Sequence, residues 1–295
     1  MDKNLNKYEC FSFFLSTFAP EFYDMEFSVL LSIYKDEKPL CLCECLDSLF
    51  SQTVTATEII LVEDGKLTPE LYQIIEEYKQ HHREIKTIRL NTNSGLGNAL
   101  NEGMKYCSYD LIARMDTDDI CKPDRFKKQI AYMERHPECD ILSSWVDEFI
   151  GNTSHIVSTR KLPENHDAIV KYGKKRNPIN HPAVIFRRKA VVAAGGYPHF
   201  PKAQVEDYEL WVRMIVNGAL FHNIQESLLY YRLSDDFARR RGGWDYSQRE
   251  IPLQISFYKK GYISWWRMAL NIVIRTIIRM LPSRWRREVY LKFLR

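Results

Sequence analysis

The spacing of apolar residues changes period repeatedly along the chain, and each change marks an element. FSVLLSIY (27–34) is a near-continuous apolar run, the pattern of a strand buried on both faces. Pro39 then opens a helix that puts Leu42, Leu46, Leu49 and Phe50 on one face. TEIILV (57–62) is the second strand. Thr68-Pro69 is a cap followed by proline at the first helical position, and Leu71, Ile74, Ile75 and Tyr78 form the stripe of the helix it starts. IKTIRL (85–90) is a third strand, GLGNALNEGMKY (95–106) a helix that tolerates several glycines, and YDLIARM (109–115) a fourth strand ending at Asp116.

Strands and helices thus alternate four times within about 110 residues, which implies right-handed βαβ units and a mainly parallel sheet. The fold class is α/β: a Rossmann-like, mainly parallel central sheet flanked by helices. Ligands of such sheets bind beyond the carboxyl ends of the strands. Tyr34, Glu63-Asp64, Asn91–Asn93 and Asp116–Asp119 all fall at those ends.

The alternation weakens after residue 125. RFKKQIAYMERH is a helix with Phe126, Ile130 and Met133 inward, and DILSSWVDEFI (140–150) and PAVIF (182–186) read as strands. EDYELWVRMIVNG (206–218) is a helix ending at glycine, and LFHNIQESLLYYR (220–232) contains a further strand. Polar residues and two adjacent glycines make 234–258 a mobile loop or linker. Residues 1–24 precede the first periodic pattern; they are expected to be a loose extension, or the product of a start codon placed ahead of Met25.

Composition adds bounds rather than function. A chain of 295 residues, 45% of them hydrophobic, is ample for a sizeable core. Seven cysteines make no even disulfide set, and CLCECL (41–46) lies on a predicted helix with no matching Cys/His pair nearby, so buried thiols in a reducing compartment are expected. FSFFL (11–15) is too short, and follows an acidic residue, to serve as a signal peptide.

The densest chemistry is ARMDTDDICKPDR (113–125), with carboxylates at Asp116, Asp118 and Asp119. Mg²⁺ and Mn²⁺ take one or two carboxylates plus substrate phosphates, which suits Asp-X-Asp at a strand end. Helix capping is the alternative use, and Asp119 is expected to be the helix-start residue. In VEDYELWVRM (205–214), Glu206-Asp207 opens an amphipathic helix, where a carboxylate could take a proton from a hydroxyl. His181, between prolines in NPINHPAVIF (177–186), is open to three readings: ligand, substrate contact or packed histidine. No Walker loop, dinucleotide fingerprint, HExxH or GxSxG is present. The acidic triplet follows the fourth strand, whereas a phosphatase of the haloacid dehalogenase type has its own after the first.

Together these segments resemble family 2 glycosyltransferases, inverting enzymes of the GT-A fold, over about residues 26–232. FSVLLSIYKDEKPLCLCECLDSLFSQT is similar to their opening strand and helix. EIILVEDG is similar to their second strand, with Glu63-Asp64 in place of the usual Asp-Asp. NSGLGNALNEGMKYCSYDLIARMDTDDICKPDRFKKQ is close to their central block, and NHPAVIFRRKAVVAAGGY and EDYELWVRM follow in order. The nearest likeness is to enzymes that build bacterial capsule, exopolysaccharide or O-antigen.

The resemblance implies roles residue by residue. Ser32, Tyr34 and Asp64 hold the base and ribose of a nucleotide-sugar, expected to be UDP-linked; Asn98 and Arg114 lie along the donor. Asp116 sits near ribose or metal, Asp118 is the Mn²⁺ or Mg²⁺ ligand, Asp207 is the general base with Glu206 beside it, and His181 borders the acceptor pocket. Residues 25–233 then form the catalytic domain, with a nucleotide-sugar half (25–125) and an acceptor half (126–233). The Gln-x-x-Arg-Trp signature of processive synthases is absent, so one sugar per acceptor is expected; Arg239–Arg241 are candidates to fold over the diphosphate or a lipid-linked acceptor, with a solvated basic loop as the alternative. A nucleotidyltransferase shares the alternating α/β site but needs an early Gly-rich basic loop that is missing, and a silent sugar-nucleotide or membrane-binding subunit is the non-enzyme alternative.

The last segment, 259–295, is a basic amphipathic helical tail with ten Lys/Arg and one Glu. Trp265, Trp266 and Trp285 interleave with isoleucines, and Arg267, Asn271, Arg275 and Arg279 fall four apart. The apolar stretch is too short and charged to span a bilayer but suits an interfacial helix on anionic lipid, with packing against the catalytic domain as the alternative. A polyprenyl diphosphate acceptor, a peripheral position on the inner face of the plasma membrane and no nucleic-acid partner are the corresponding expectations.

Overall fold

The computed structural model describes residues 25–198, 205–234, 242–282, 284–286 and 288–289. The extension 1–24 and the Arg239–Arg241 cluster lie outside the described residues. The first half follows the predicted alternation: β1 (Phe27–Ile33), α1 (Pro39–Phe50), β2 (Glu58–Glu63), α2 (Pro69–His81), β3 (Ile85–Arg89), α3 (Leu96–Met104) and β4 (Leu111–Arg114). Thr68 caps α2 as expected, its hydroxyl accepting from the Leu71 amide.

The nine strands among the described residues form one sheet in the order β3-β2-β1-β4-β8-β6-β9-β5, with β7 paired to β6. β1, β2, β3 and β4 run parallel, in register Val29↔Ile59, Ile60↔Lys86 and Val29↔Ala113. Antiparallel pairing continues the sheet through β8 (Ile185–Arg187), β6 (Ile141–Phe149) and β7 (Ile156–Arg160), while β9 (Phe221–Arg232) lies parallel to β6 and antiparallel to the two-residue β5 (Ile120–Cys121).

Alternate residues of the parallel strands feed two cores. Phe27, Val29, Leu31 and Ile33 pack with α1, α2 and α4 (Arg125–Arg135) on one face. Leu30, Ile60 and Val62 pack on the other face with α3, α5 (His166–Gly173), α6 (Arg188–Ala193) and α7 (Glu206–Val216). Gly103 of α3 serves this contact: a Cβ there would lie 2.5 Å from Leu30 and 2.6 Å from Val62, so the helix seats on the sheet only because none is there.

Trp211 anchors the second face. It is wholly buried and meets Phe221 edge-on at 6.3 Å. Trp211→Ala is expected to cost about 3–5 kcal/mol. Urea unfolding measures this, and a loss below about 1 kcal/mol would contradict so tight a packing site.

Three expectations change. PAVIF is not one strand: His181–Ala183 form a 3₁₀ turn and only Ile185–Arg187 pair. Asp119 is not at a helix start, because β5 intervenes and α4 begins at Arg125. Within the expected loop 234–258, residues Trp244–Lys259 form helix α8. Its periodicity is sparse, with Tyr246, Leu253 and Phe257 buried among polar residues and Pro252 inside the helix. Leu253 and Phe257 meet Tyr208 and Val212 of α7 in a third core.

The tail helix, α9 (Trp265–Met280), is amphipathic but turned the opposite way from a surface helix. Asn271 and Arg279 are buried, donating to Gln254 and Glu250 of α8, and Arg275 bonds Glu250 and the Lys175 carbonyl. Trp265, Val273 and Ile277, 65%, 55% and 58% exposed, face outward. No helix among the described residues is long and apolar enough to cross a membrane.

Candidate active site

The acidic turn follows β4 directly, and the end of β9 holds it. The Arg232 amide donates to Asp119 Oδ1 at 2.8 Å. Its guanidinium reaches the Asp118 carbonyl at 2.7 Å and Glu44 of α1 at 2.5 Å. The short β5–β9 pairing, Ile120↔Tyr230, creates this contact by bringing the two strand ends together. Arg114, 1% exposed, grips both oxygens of Asp116 from beneath. Arg125, fully buried, donates to the Arg114 carbonyl at 2.8 Å and fixes the floor.

One carboxylate oxygen from each of Asp116, Asp118 and Asp119 lies within 4.8 Å of the others. Burial, then Asp116 and Glu37, push the Asp118 carboxyl up to about 7; burial and its two neighbours raise Asp119 well above the usual range. Asp119 Oδ2 is buried without a hydrogen-bond partner. Crowded acids and an orphaned acceptor are what a divalent cation would satisfy, so the donor set fits Mn²⁺ or Mg²⁺.

Asp116 and Asp118 line a cavity of about 580 Å³ that also takes in Arg114, His181, Glu206 and Asp207. Widely separated segments of the sequence therefore reach one space. Asp207 lies in the first turn of α7, where Asn177 Nδ2 donates to its Oδ2 at 2.6 Å and the Tyr208 amide to its Oδ1 at 2.8 Å. Burial nevertheless raises its carboxyl above the usual range. Burial and the Asp207 charge push Glu206 up to about 7, and Glu206 Oε2 has no partner. His181 Nε2 sits 2.8 Å from the Tyr197 hydroxyl; burial, then Arg114, keeps the ring well below its ordinary value and so neutral at pH 7.

The other predicted residues lie outside that cavity wall, at the sheet edge. Ser32 is at the end of β1, opposite Val62 of β2, with Tyr34 exposed two residues on. Asp64, just past β2, receives the Ser94 amide and hydroxyl on Oδ1 at 2.7 and 3.1 Å and the Gly95 amide on Oδ2 at 3.0 Å. It thus orders the turn into α3, and any base must share its lone pairs. Asn98 donates to the Ser94 carbonyl at 2.9 Å in the same turn.

Asn177 and Arg232 also line the cavity, and the sequence pattern singles out neither. Asn177 stands in NPINHP, close to His181, a polar residue between glycine and proline signals that reads as loop. Arg232 closes an ordinary strand pattern and carries no signal at all.

A family model, Glycosyl transferase family 2, matches residues 28–195. The chain is 40% identical over 270 residues to the UDP-Gal:alpha-D-GlcNAc-diphosphoundecaprenol beta-1,3-galactosyltransferase of Escherichia coli, covering 92% of this chain and 97% of that one. It is 38% identical to the amylovoran biosynthesis glycosyltransferase AmsE of Erwinia amylovora, covering 90% and 98%. Among solved structures, S. aureus TarS 1–349 in complex with UDP-GlcNAc superposes with a TM-score of 0.65 at 18% identity, over 91% of this chain and 76% of that one. A mannosyltransferase from Pyrobaculum calidifontis, in complex with GDP-Man and Mn²⁺, gives 0.60 at 12% identity, over 88% and 71%. At such identities the likeness is one of fold.

Proposed function

The chain belongs to glycosyl transferase family 2, and from that membership we propose that it moves one sugar from a UDP-sugar to a hydroxyl of a lipid-linked sugar diphosphate, with inversion, in building a bacterial surface polysaccharide. The observation that carries this reading is the single cavity holding both the Asp116/Asp118 pair and the Glu206/Asp207 pair. The Escherichia coli relative, matched over nearly its whole length, is named for a UDP-sugar donor and a diphosphoundecaprenol-linked acceptor.

The residues divide the work. Ser32, Tyr34 and Asp64 receive the nucleoside at the ends of β1 and β2, with Asn98 and Arg114 along the donor. Asp118, with Asp116, would hold Mn²⁺ or Mg²⁺, which when bound offsets negative charge on the departing diphosphate. The acceptor hydroxyl attacks the anomeric carbon from the face opposite the nucleotide. As the new C–O bond forms, the bond to the diphosphate breaks and its electron pair leaves with UDP. Asp207 takes the hydroxyl proton, held in place by Asn177. Glu206 keeps a second carboxyl beside it, and His181 borders the acceptor as a neutral ring. One displacement inverts the centre.

The outward apolar face of α9 supports a peripheral position on the inner leaflet of the plasma membrane, where tryptophans lie at headgroup depth. The reaction is tested with a panel of UDP-sugars and a short-chain alkyl N-acetylglucosaminyl diphosphate, reading the product by NMR. A β-linked disaccharide from an α-linked donor is expected. An α-linked product would remove the single displacement, and failure to use the acceptor would remove the acceptor assignment.

A further inference from the structure

The cavity continues beyond the carboxylates to α9. Lys175, Arg176, Arg267 and Arg275 also line it, with Ile274 and Ile278. The route is short in sequence: Asn177, which bonds Asp207 at 2.6 Å, follows Arg176 and Lys175. The Lys175 carbonyl in turn accepts from Arg275 at 2.8 Å, and the Lys174 carbonyl accepts from Asn271 at 2.9 Å. The α5 end and α9 therefore form one wall.

The charges on that wall do not balance. Glu250 is the acid there, and it is taken up by Arg275 at 2.7 Å and Arg279 at 2.9 Å. Lys175, Arg176 and Arg267 make no ion pair among the described residues; Arg267 instead lies over the Trp266 ring at 4.8 Å. Three cations without a counter-charge, in a pocket that also holds a proton acceptor, call for an anionic ligand. A sugar whose hydroxyl reaches Asp207 would turn its linkage, at its other end, toward these cations of the same cavity. From there Ile274 and Ile278 lead onto the exposed Val273 and Ile277.

We propose that Lys175, Arg176 and Arg267 form a subsite for the diphosphate joining the acceptor sugar to its lipid, and that the outer face of α9 takes the adjoining hydrocarbon. This rests on the reading of the acceptor given above. It makes these residues selective for the link between sugar and carrier, a part of the acceptor that does not react.

The test titrates decyl diphosphate, below its micelle concentration, into the full chain by calorimetry, with saturating UDP and Mn²⁺ filling the donor site. Arg176→Gln and, separately, Arg267→Gln are expected to weaken binding about 10-fold or more each, as loss of a charge-assisted contact does. Inorganic pyrophosphate is expected to bind measurably more weakly than decyl diphosphate. Equal binding by wild type and both variants would overturn the subsite, and equal affinity for pyrophosphate would overturn the role of α9. Transfer assays separate this from the reaction itself. If decyl diphosphate binds as expected but no sugar reaches a sugar diphosphate, the subsite stands and the assigned reaction falls. If sugar passes to the sugar diphosphate equally well in wild type and variants, the subsite falls and glycosyl transfer stands.

Discussion

Asp118→Ala is expected to lower kcat/KM for sugar transfer by about 10³-fold or more, since a cation at a leaving diphosphate contributes several kcal/mol. The residue is poised for this and little else. Its side chain faces the cavity, and it sits in a turn fixed from both sides, by Arg232 on its carbonyl and by Arg114 on Asp116. Loss of the carboxylate therefore leaves the fold intact. Burial and the charges of Asp116 and Glu37 disfavour its ionised form, so removing it relieves repulsion and raises stability slightly. Two measurements follow: transfer rate against Mn²⁺ concentration, and thermal unfolding. A variant with wild-type turnover at micromolar Mn²⁺ would remove Asp118 as a ligand. A variant that fails to fold would show that the turn depends on the carboxylate.

Asp207→Asn is expected to lower transfer about 10²–10⁴-fold while leaving UDP binding unchanged, because a general base acts only on the acceptor. The isosteric amide keeps the shape but offers one acceptor: with its oxygen on the Tyr208 amide, its NH2 meets Asn177, whose own amide must turn over to accept. The pH dependence provides a second readout, and its sign follows from burial. Asp207 is raised above the usual carboxylate range, and Glu206 beside it titrates at about 7. The protonated acids cannot accept a proton, so transfer falls as pH drops through that range and climbs to a plateau above it. Stability runs the other way. The folded state binds the Glu206 proton more tightly than the unfolded chain does, so its contribution is present below the ordinary glutamate value, 4.5, and is lost as pH rises toward 7. Glu206→Gln should flatten that loss. A rate profile with no acid limb would argue against a carboxylate base.

Much of the fold and of the candidate site is legible in the sequence because the parallel half of the sheet is buried on both faces and writes itself as near-continuous apolar runs. Phe27–Ile33 and Glu58–Glu63 are such runs, and the carboxyl ends of these and the later strands locate the acidic turn from the pattern alone. Asp118 and Asp207, 89 positions apart in the chain, both stand out in their motifs and line the same cavity. What stays hidden depends on pairing rather than pattern. The two residues of β5 are too few to show a period, yet their pairing with β9 carries Arg232 to the acidic turn and holds Asp119 away from any helix. α8 hides because Glu250 and Gln254 are buried polar residues, which read as surface until their partners on α9 are known. The inward direction of the α9 polar stripe has the same origin, since Glu250 lies 25 residues before Arg275.

That inward stripe makes the tail inseparable from the enzyme. A membrane anchor that merely tethers can be cut off and its effect read from where the protein goes. Here truncation before α9 would strand Glu250 without its two arginines, uncap the Lys174 and Lys175 carbonyls and open one wall of the cavity. On the membrane position proposed above, location and catalysis would then fail together, and neither loss would identify the other's cause. Substitutions confined to the outer face, such as Val273→Ser with Ile277→Ser, leave every inward bond in place and separate where the enzyme sits from what it does.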